Sequence, residues 1–171
     1  MSTRSRSTSD TTGRPEEGND VTGTMRASAS TAILVTGHGQ FASGLVSALE
    51  LIMGPQTNLM AVDFPGTDTA TELTEHLTSA MASLSTADQV AVFCDLRGGS
   101  PFNVATSLAS DRDDVAVLFG VNLPTLMEFI GRRSRAAEVE TLSTAAIAAG
   151  RDGLGRFALT TAQADDEGDW A

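Results

Sequence analysis

Four short apolar runs, each followed by a stretch of helical periodicity, constrain this chain more than any other feature. The runs cover 31–36, 57–62, 89–94 and 115–119. Each has the length of a strand, and each is bounded by polar, glycine or proline residues. The segments between them place apolar residues three and four apart. Over 40–53, for example, Phe41, Leu45, Ala48, Leu49 and Ile52 share one helical face. Strands alternating with helices predict an α/β fold: a three-layer, open, parallel sheet. With strands one and three as neighbours and two and four outside them, the order is 2-1-3-4.

Local signals place the helix ends. Gly54-Pro55 stops the first helix, glycine supplying a left-handed cap and proline forbidding continuation. Thr69-Ala70-Thr71-Glu72 is a capping-box pattern opening a helix with Leu73, Leu77, Met81 and Leu84 on one side. Ser100-Pro101 opens the third helix, read as an N-cap serine with proline at the first helical position. Asn122 is placed to cap a helix over 123–131, and a further helical stretch covers 137–150. Residues 155–160 are a candidate last strand.

Residues 1–29 carry almost no large apolar side chains and are predicted to be a disordered tail, with Met25 an alternative start. The globular domain is assigned to 30–161, and the acidic residues 162–171 to a C-terminal tail. The chain has 171 residues and a net charge of -11, which disfavours a nucleic-acid groove. No apolar stretch approaches the roughly 20 residues needed to span a bilayer. The single cysteine, Cys94, leaves no internal disulfide and fits a reducing cytoplasm.

Two loops carry the chemistry. Gly37-His38-Gly39 follows the first apolar run, and Asp95-Leu96-Arg97-Gly98-Gly99-Ser100 follows the third. In an open parallel sheet, ligands bind beyond the carboxyl ends of the strands, where the strand order reverses. The order 2-1-3-4 sets His38 and Asp95 over that crevice together. A carboxylate that accepts a hydrogen bond from one imidazole nitrogen fixes the tautomer and leaves the other nitrogen free as a nucleophile. A helix N-terminus at Gly98-Gly99-Ser100 offers unpaired N–H groups to an anion, with Ser100 Oγ as a further donor. These are the parts needed to hold a phosphoryl group on a histidine, with no metal, nucleotide or other cofactor.

The motifs Gly37-His38-Gly39, Gly44-Leu45, Asp95-Leu96, Gly98-Gly99-Ser100-Pro101-Phe102-Asn103 and Gly120-Val121-Asn122-Leu123-Pro124 resemble those of the mannose-type enzyme IIA components of the bacterial sugar phosphotransferase system (PTS). The resemblance runs from Thr31 to Leu159. It implies that the carrier protein HPr, phosphorylated on histidine, donates to His38. A IIB component then accepts from His38 and phosphorylates sugar entering through the membrane IIC/IID permease. It implies phosphate on Nε2 of His38, with Nδ1 facing Asp95. Ser100 and the amides of Gly98 and Gly99 would hold the phosphoryl oxygens. It also implies a cytoplasmic homodimer that exchanges an antiparallel strand, for which 155–160 is the candidate. Arg97 stands where relatives often carry an aromatic or apolar residue. No IIB domain follows in the sequence, so IIB is expected on a separate chain.

Other readings use the same residues. The chain could report phosphorylation state as a regulatory binding module, or serve as the phosphotransfer subunit of a dihydroxyacetone kinase. A hydrolase triad of Ser100, His38 and Asp95 has the right residue types but lacks a Gly-x-Ser-x-Gly elbow. His76, amid a helix with no glycine frame, is expected at the surface. Asp63 is expected to end the second strand, facing outward, with no catalytic role.

Overall fold

The apolar runs pair side by side in parallel, and the helical stretches close over both faces. The computed structural model describes residues 30–133 and 138–158. In chain order the elements are β1 (Thr31–His38), α1 (Phe41–Met53), β2 (Leu59–Phe64), α2 (Ala70–Ser83), β3 (Gln89–Cys94), α3 (Ser100–Ala109), β4 (Val115–Phe119), α4 (Leu123–Arg133) and α5 (Val139–Asp152). The sheet is all-parallel, as the alternation of strands and helices predicts, and its order is β2-β1-β3-β4, the one that sets strands one and three side by side and that the family resemblance implies.

Period-two alternation along the central strands divides the core. Ile33 and Val35 of β1, with Ala91 and Phe93 of β3, pack under Leu49 of α1, Leu126 and Phe129 of α4 and Leu142 of α5. The rings of Phe93 and Phe129 meet edge to face, 5.1 Å between centroids. Ala32, Leu34, Val90 and Val92 point the other way, against Leu73 and Leu77 of α2 and Ala105 of α3. Burial on both sides accounts for the unbroken apolar character of β1 and β3.

Three strand boundaries differ from the predicted ones: both ends of β2, which runs from Leu59 to Phe64, and the end of β1. β2 starts at Leu59 rather than residue 57, because Thr57 and Asn58 form a turn with Asn58 at a φ of 52°. Its carbonyl accepts the N–H of Ile33 at 2.8 Å, which anchors the start of the pairing. The same shift extends β1 to His38: Gly37 and His38 continue in register with Asp63 and Phe64. Helix signals fare well. Gly54 closes α1 at a φ of 76°, both halves of the Thr69–Glu72 capping box are present, and Asn122 Oδ1 accepts the Thr125 N–H at 3.0 Å.

Over 155–158 the chain forms no strand; Leu154 and Phe157 are 75% and 85% exposed. The remainder of the expected last strand lies outside the described residues, as do the segments 1–29 and 162–171 read as tails. Among the described residues, no helix is long and apolar enough to cross a membrane.

Leu126 is fully buried beneath the sheet, whereas Leu51 on α1 is 89% exposed. Leu126→Ala should therefore cost about 2–5 kcal/mol of stability in urea denaturation. Leu51→Ala should stay within about 0.5 kcal/mol of wild type.

Candidate functional site

His38 is the last residue of β1, and Asp95 directly follows β3, the strand paired with it. Parallel pairing therefore ends both strands at one level and sets their terminal side chains in contact. His38 Nδ1 lies 2.8 Å from Asp95 Oδ2, which also accepts the His38 backbone N–H at 2.8 Å. Asp95 Oδ1 accepts the Leu96 N–H at 2.7 Å. Partial burial pushes the Asp95 carboxyl up. The hydrogen bonds from the His38 backbone and ring and from Leu96, with the charge of the ring, outweigh it and hold the group below its ordinary value. Asp95 is thus an ionised acceptor at neutral pH. Nδ1 must carry the ring proton toward it, which leaves Nε2 with a free lone pair.

Nε2 faces the start of α3. A Cβ placed on Gly99 would fall 2.6 Å from His38 Cε1 and 3.3 Å from Nε2, so only glycine lets the backbone lie this close to the ring. Gly98 takes a φ of 79° in the turn that swings the chain from Asp95 into the helix. Among the described residues, the backbone N–H groups of Gly98, Ser100 and Phe102 have no acceptor, whereas the Gly99 N–H, expected to be open to an anion, is turned onto the Leu96 carbonyl at 3.4 Å by the Leu96–Gly99 turn. The site therefore presents, in the neutral ring with Nδ1–H on Asp95, a nitrogen lone pair beside the positive end of a ten-residue helix.

Ser100 corrects one expectation. Gly99, not Ser100, is the N-cap residue of α3; Ser100 is the first helical residue and makes no capping bond. The extended conformation of Gly99 sets the boundary one residue earlier than the Ser-Pro pattern implies. The Asn103 amide takes the Gly98 carbonyl at 3.1 Å, and the Asn103 N–H bonds to the Gly99 carbonyl at 2.9 Å. Ser100 Oγ is left without a hydrogen bond among the described residues and is free to meet a ligand. It makes none to His38, so the Ser-His couple of a hydrolase is not formed.

Two supporting residues escaped the sequence reading. Asp63 is no idle strand end: its carboxylate accepts the Ser43 N–H at 2.9 Å and the Ser43 hydroxyl at 2.6 Å. It supplies from β2 the cap that Gln40 does not give α1. Phe64, paired in register with His38, sets its ring edge-on to the imidazole with centroids 5.8 Å apart. Both roles depend on the register of β2, which starts two residues later than its apolar pattern suggests. Gly37 is pinned beneath the site: a Cβ there would fall 2.4 Å from the Phe41 ring and 3.0 Å from Asp95 Cβ.

The His38 side chain is 46% exposed and that of Asp95 only 15%, so the imidazole is open to solvent while its carboxylate partner is sheltered. The larger cavity, about 320 Å³, opens elsewhere, along the free edge of β4 between Phe119, Ile147, Arg151 and Leu154. Cys94, buried behind Asp95, has its thiol pushed up to about 12, first by burial and then by the Asp95 charge; it stays protonated and takes no part. His76 is a surface residue 3.7 Å from Asp68, remote in sequence from either loop.

Comparison with known proteins bears on these motifs. A family model described as PTS system fructose IIA component matches residues 32–146. The mannose-specific EIIAB component of the Escherichia coli (strain K12) PTS is 33% identical over 123 residues, covering 72% of this chain and 38% of that protein. This chain thus spans well under half of that relative. The fructose-specific EIIA component of Bacillus subtilis (strain 168) is 30% identical over 112 residues, 66% of this chain and 77% of its own length. A crystal structure of phosphotransferase system component EIIA from Streptococcus agalactiae matches with a TM-score of 0.68 and 30% identity, covering 74% of this chain and 96% of that one.

The geometry makes two predictions. Because the Asp95 carboxyl is held below its unfolded value, its stabilising contribution is complete above the unfolded value, near pH 4, and is lost as the pH falls through the folded one. The stability gap between wild type and Asp95→Asn, read from urea midpoints, should be present at pH 5 and above and shrink below pH 4. In Gly99→Ala, the half-exposed imidazole should swing off the new methyl while global stability changes by about 1 kcal/mol or less. Nitrogen NMR of the ring should then show loss of the fixed Nδ1–H tautomer.

Proposed function

The chain belongs to the EIIA family of the mannose-type PTS, and from that premise we propose that it relays a phosphoryl group on His38. Nε2 accepts the group from phosphorylated HPr and returns it to a IIB component during sugar uptake. The observation that carries this reading is the Nδ1–Asp95 contact, which directs the lone pair of Nε2 toward the unpaired amides opening α3.

The steps follow from the residues. The Nε2 lone pair forms a bond to phosphorus as the bond from phosphorus to the donor nitrogen breaks, and the bonding pair leaves with the donor imidazole. The Nδ1 proton stays on the ring, and its bond to Asp95 strengthens as positive charge develops there. The amides of Gly98 and Ser100, with Ser100 Oγ, receive the phosphoryl oxygens. Transfer to IIB runs the same steps in reverse. The donor is already an activated phosphohistidine, so positioning and charge stabilisation suffice. The exposure of His38 suits a protein partner, which brings its own reactive residue to the crevice.

The reading extends to a cytoplasmic homodimer. β4 is an edge strand with Phe119 48% exposed, and Leu154 and Phe157 leave their apolar side chains in solvent. A segment around 155–160, paired to β4 of a second copy, would cover both surfaces.

Incubation with enzyme I, HPr and phosphoenolpyruvate should label wild type on one histidine and leave His38→Ala unlabelled. Asp95→Asn should slow labelling on the order of 100-fold. Normal labelling of His38→Ala would defeat the relay.

A further inference from the structure

Arg97 is a cationic residue of the crevice loops that this relay leaves unused. Among the described residues it is the only arginine in the loops that follow the carboxyl ends of the four strands. It forms no ion pair with them, in a chain whose net charge is -11. The Leu96–Gly99 turn closes with the Gly99 N–H on the Leu96 carbonyl at 3.4 Å, and Gly98 takes its left-handed position, which puts Arg97 at the tip. Two residues on is Gly99, in contact with the His38 ring, so the two Cα atoms are at most about 7 Å apart. The guanidinium rests 5.4 Å from the centre of the Phe119 ring, itself braced edge to face by Phe102 at 5.4 Å.

A cation stacked on a half-exposed aromatic ring keeps its N–H groups available, and the contact is weak enough to exchange for an anion. Asp95, the carboxylate in contact with His38, repels a phosphoryl group. We propose that Arg97 is a second phosphoryl-binding residue, leaving Phe119 to pair with the phosphoryl oxygens as they pass between the donor nitrogen and Nε2. It gives and takes no proton. The bonds made and broken are those of the relay on which this inference rests, and its charge offsets the negative charge carried across the rim.

The test compares wild type, Arg97→Ala and Arg97→Lys, each checked for folding by thermal melting. His38 is phosphorylated by two donors: phosphorylated HPr, and phosphoramidate, a small histidine-directed donor with no protein surface. Arg97→Ala should lower the rate about tenfold with both donors, Arg97→Lys should recover part of the loss, and added salt should slow wild type more than Arg97→Ala. Equal rates with phosphoramidate for wild type and Arg97→Ala would overturn the proposal. A defect confined to phosphorylated HPr would also overturn it, and would assign Arg97 to the partner's surface instead. If wild type itself takes no label from either donor, the relay fails and this inference falls with it. If wild type is labelled and Arg97→Ala matches it, this inference falls alone.

Discussion

The hydrogen bond from His38 Nδ1 to Asp95 is the contact around which the site is arranged. A solvent-facing imidazole in a loop would exchange tautomers and rotate. Here one carboxylate oxygen holds both the ring N–H and the backbone N–H of the same residue, which fixes the ring and the strand end together. That chelation is possible because β1 and β3 are direct neighbours, with Thr36 opposite Cys94 at the last rung of their pairing. An inserted strand, or a slip of one residue in either partner, would separate the groups and turn every core side chain to the wrong face.

Much of this architecture is legible in the residues. The four strands and their parallel arrangement follow from apolar runs alternating with helical patterns; the order 2-1-3-4 comes with the family resemblance, and the crevice follows from that order and the general behaviour of open parallel sheets. His38, Asp95 and the α3 N-terminus stand out because glycine frames mark places where backbone must pass close to something. The resemblance of the motifs to a known family sharpened the roles assigned to them. What stayed hidden shares one physical cause: it depends on register. Asn58 adopts a left-handed turn that delays β2, and no run of apolar residues announces it. From the apolar pattern alone Asp63 reads as a strand end rather than the cap of α1, and nothing marks Phe64 as the neighbour of the imidazole. The N-cap of α3 moved for a related reason. Ser-Pro is a strong local signal, but Gly99 sits against a ring from a distant part of the chain, and that tertiary contact sets the boundary.

Exposure separates two kinds of surface on the molecule. His38 is half exposed, beside the unpaired amides where α3 begins. The β4 edge is apolar and concave, and it does not include His38. The first suits brief encounters with a second protein, whose affinity must be low enough for turnover. The second suits a longer-lived contact that removes apolar area from water. Phe119 stands at the border, half exposed, lining the concavity and carrying the guanidinium of Arg97. Changes at one surface therefore have a direct route to the other through a single ring.

The two members of the central pair are 57 residues apart in the chain and meet only through the β1–β3 ladder. A partly synthesised or misfolded copy holds the same histidine without the acid beside it, so its imidazole has ordinary solution chemistry. The fixed orientation of Nε2 is then a property of the finished sheet, which neither loop carries on its own.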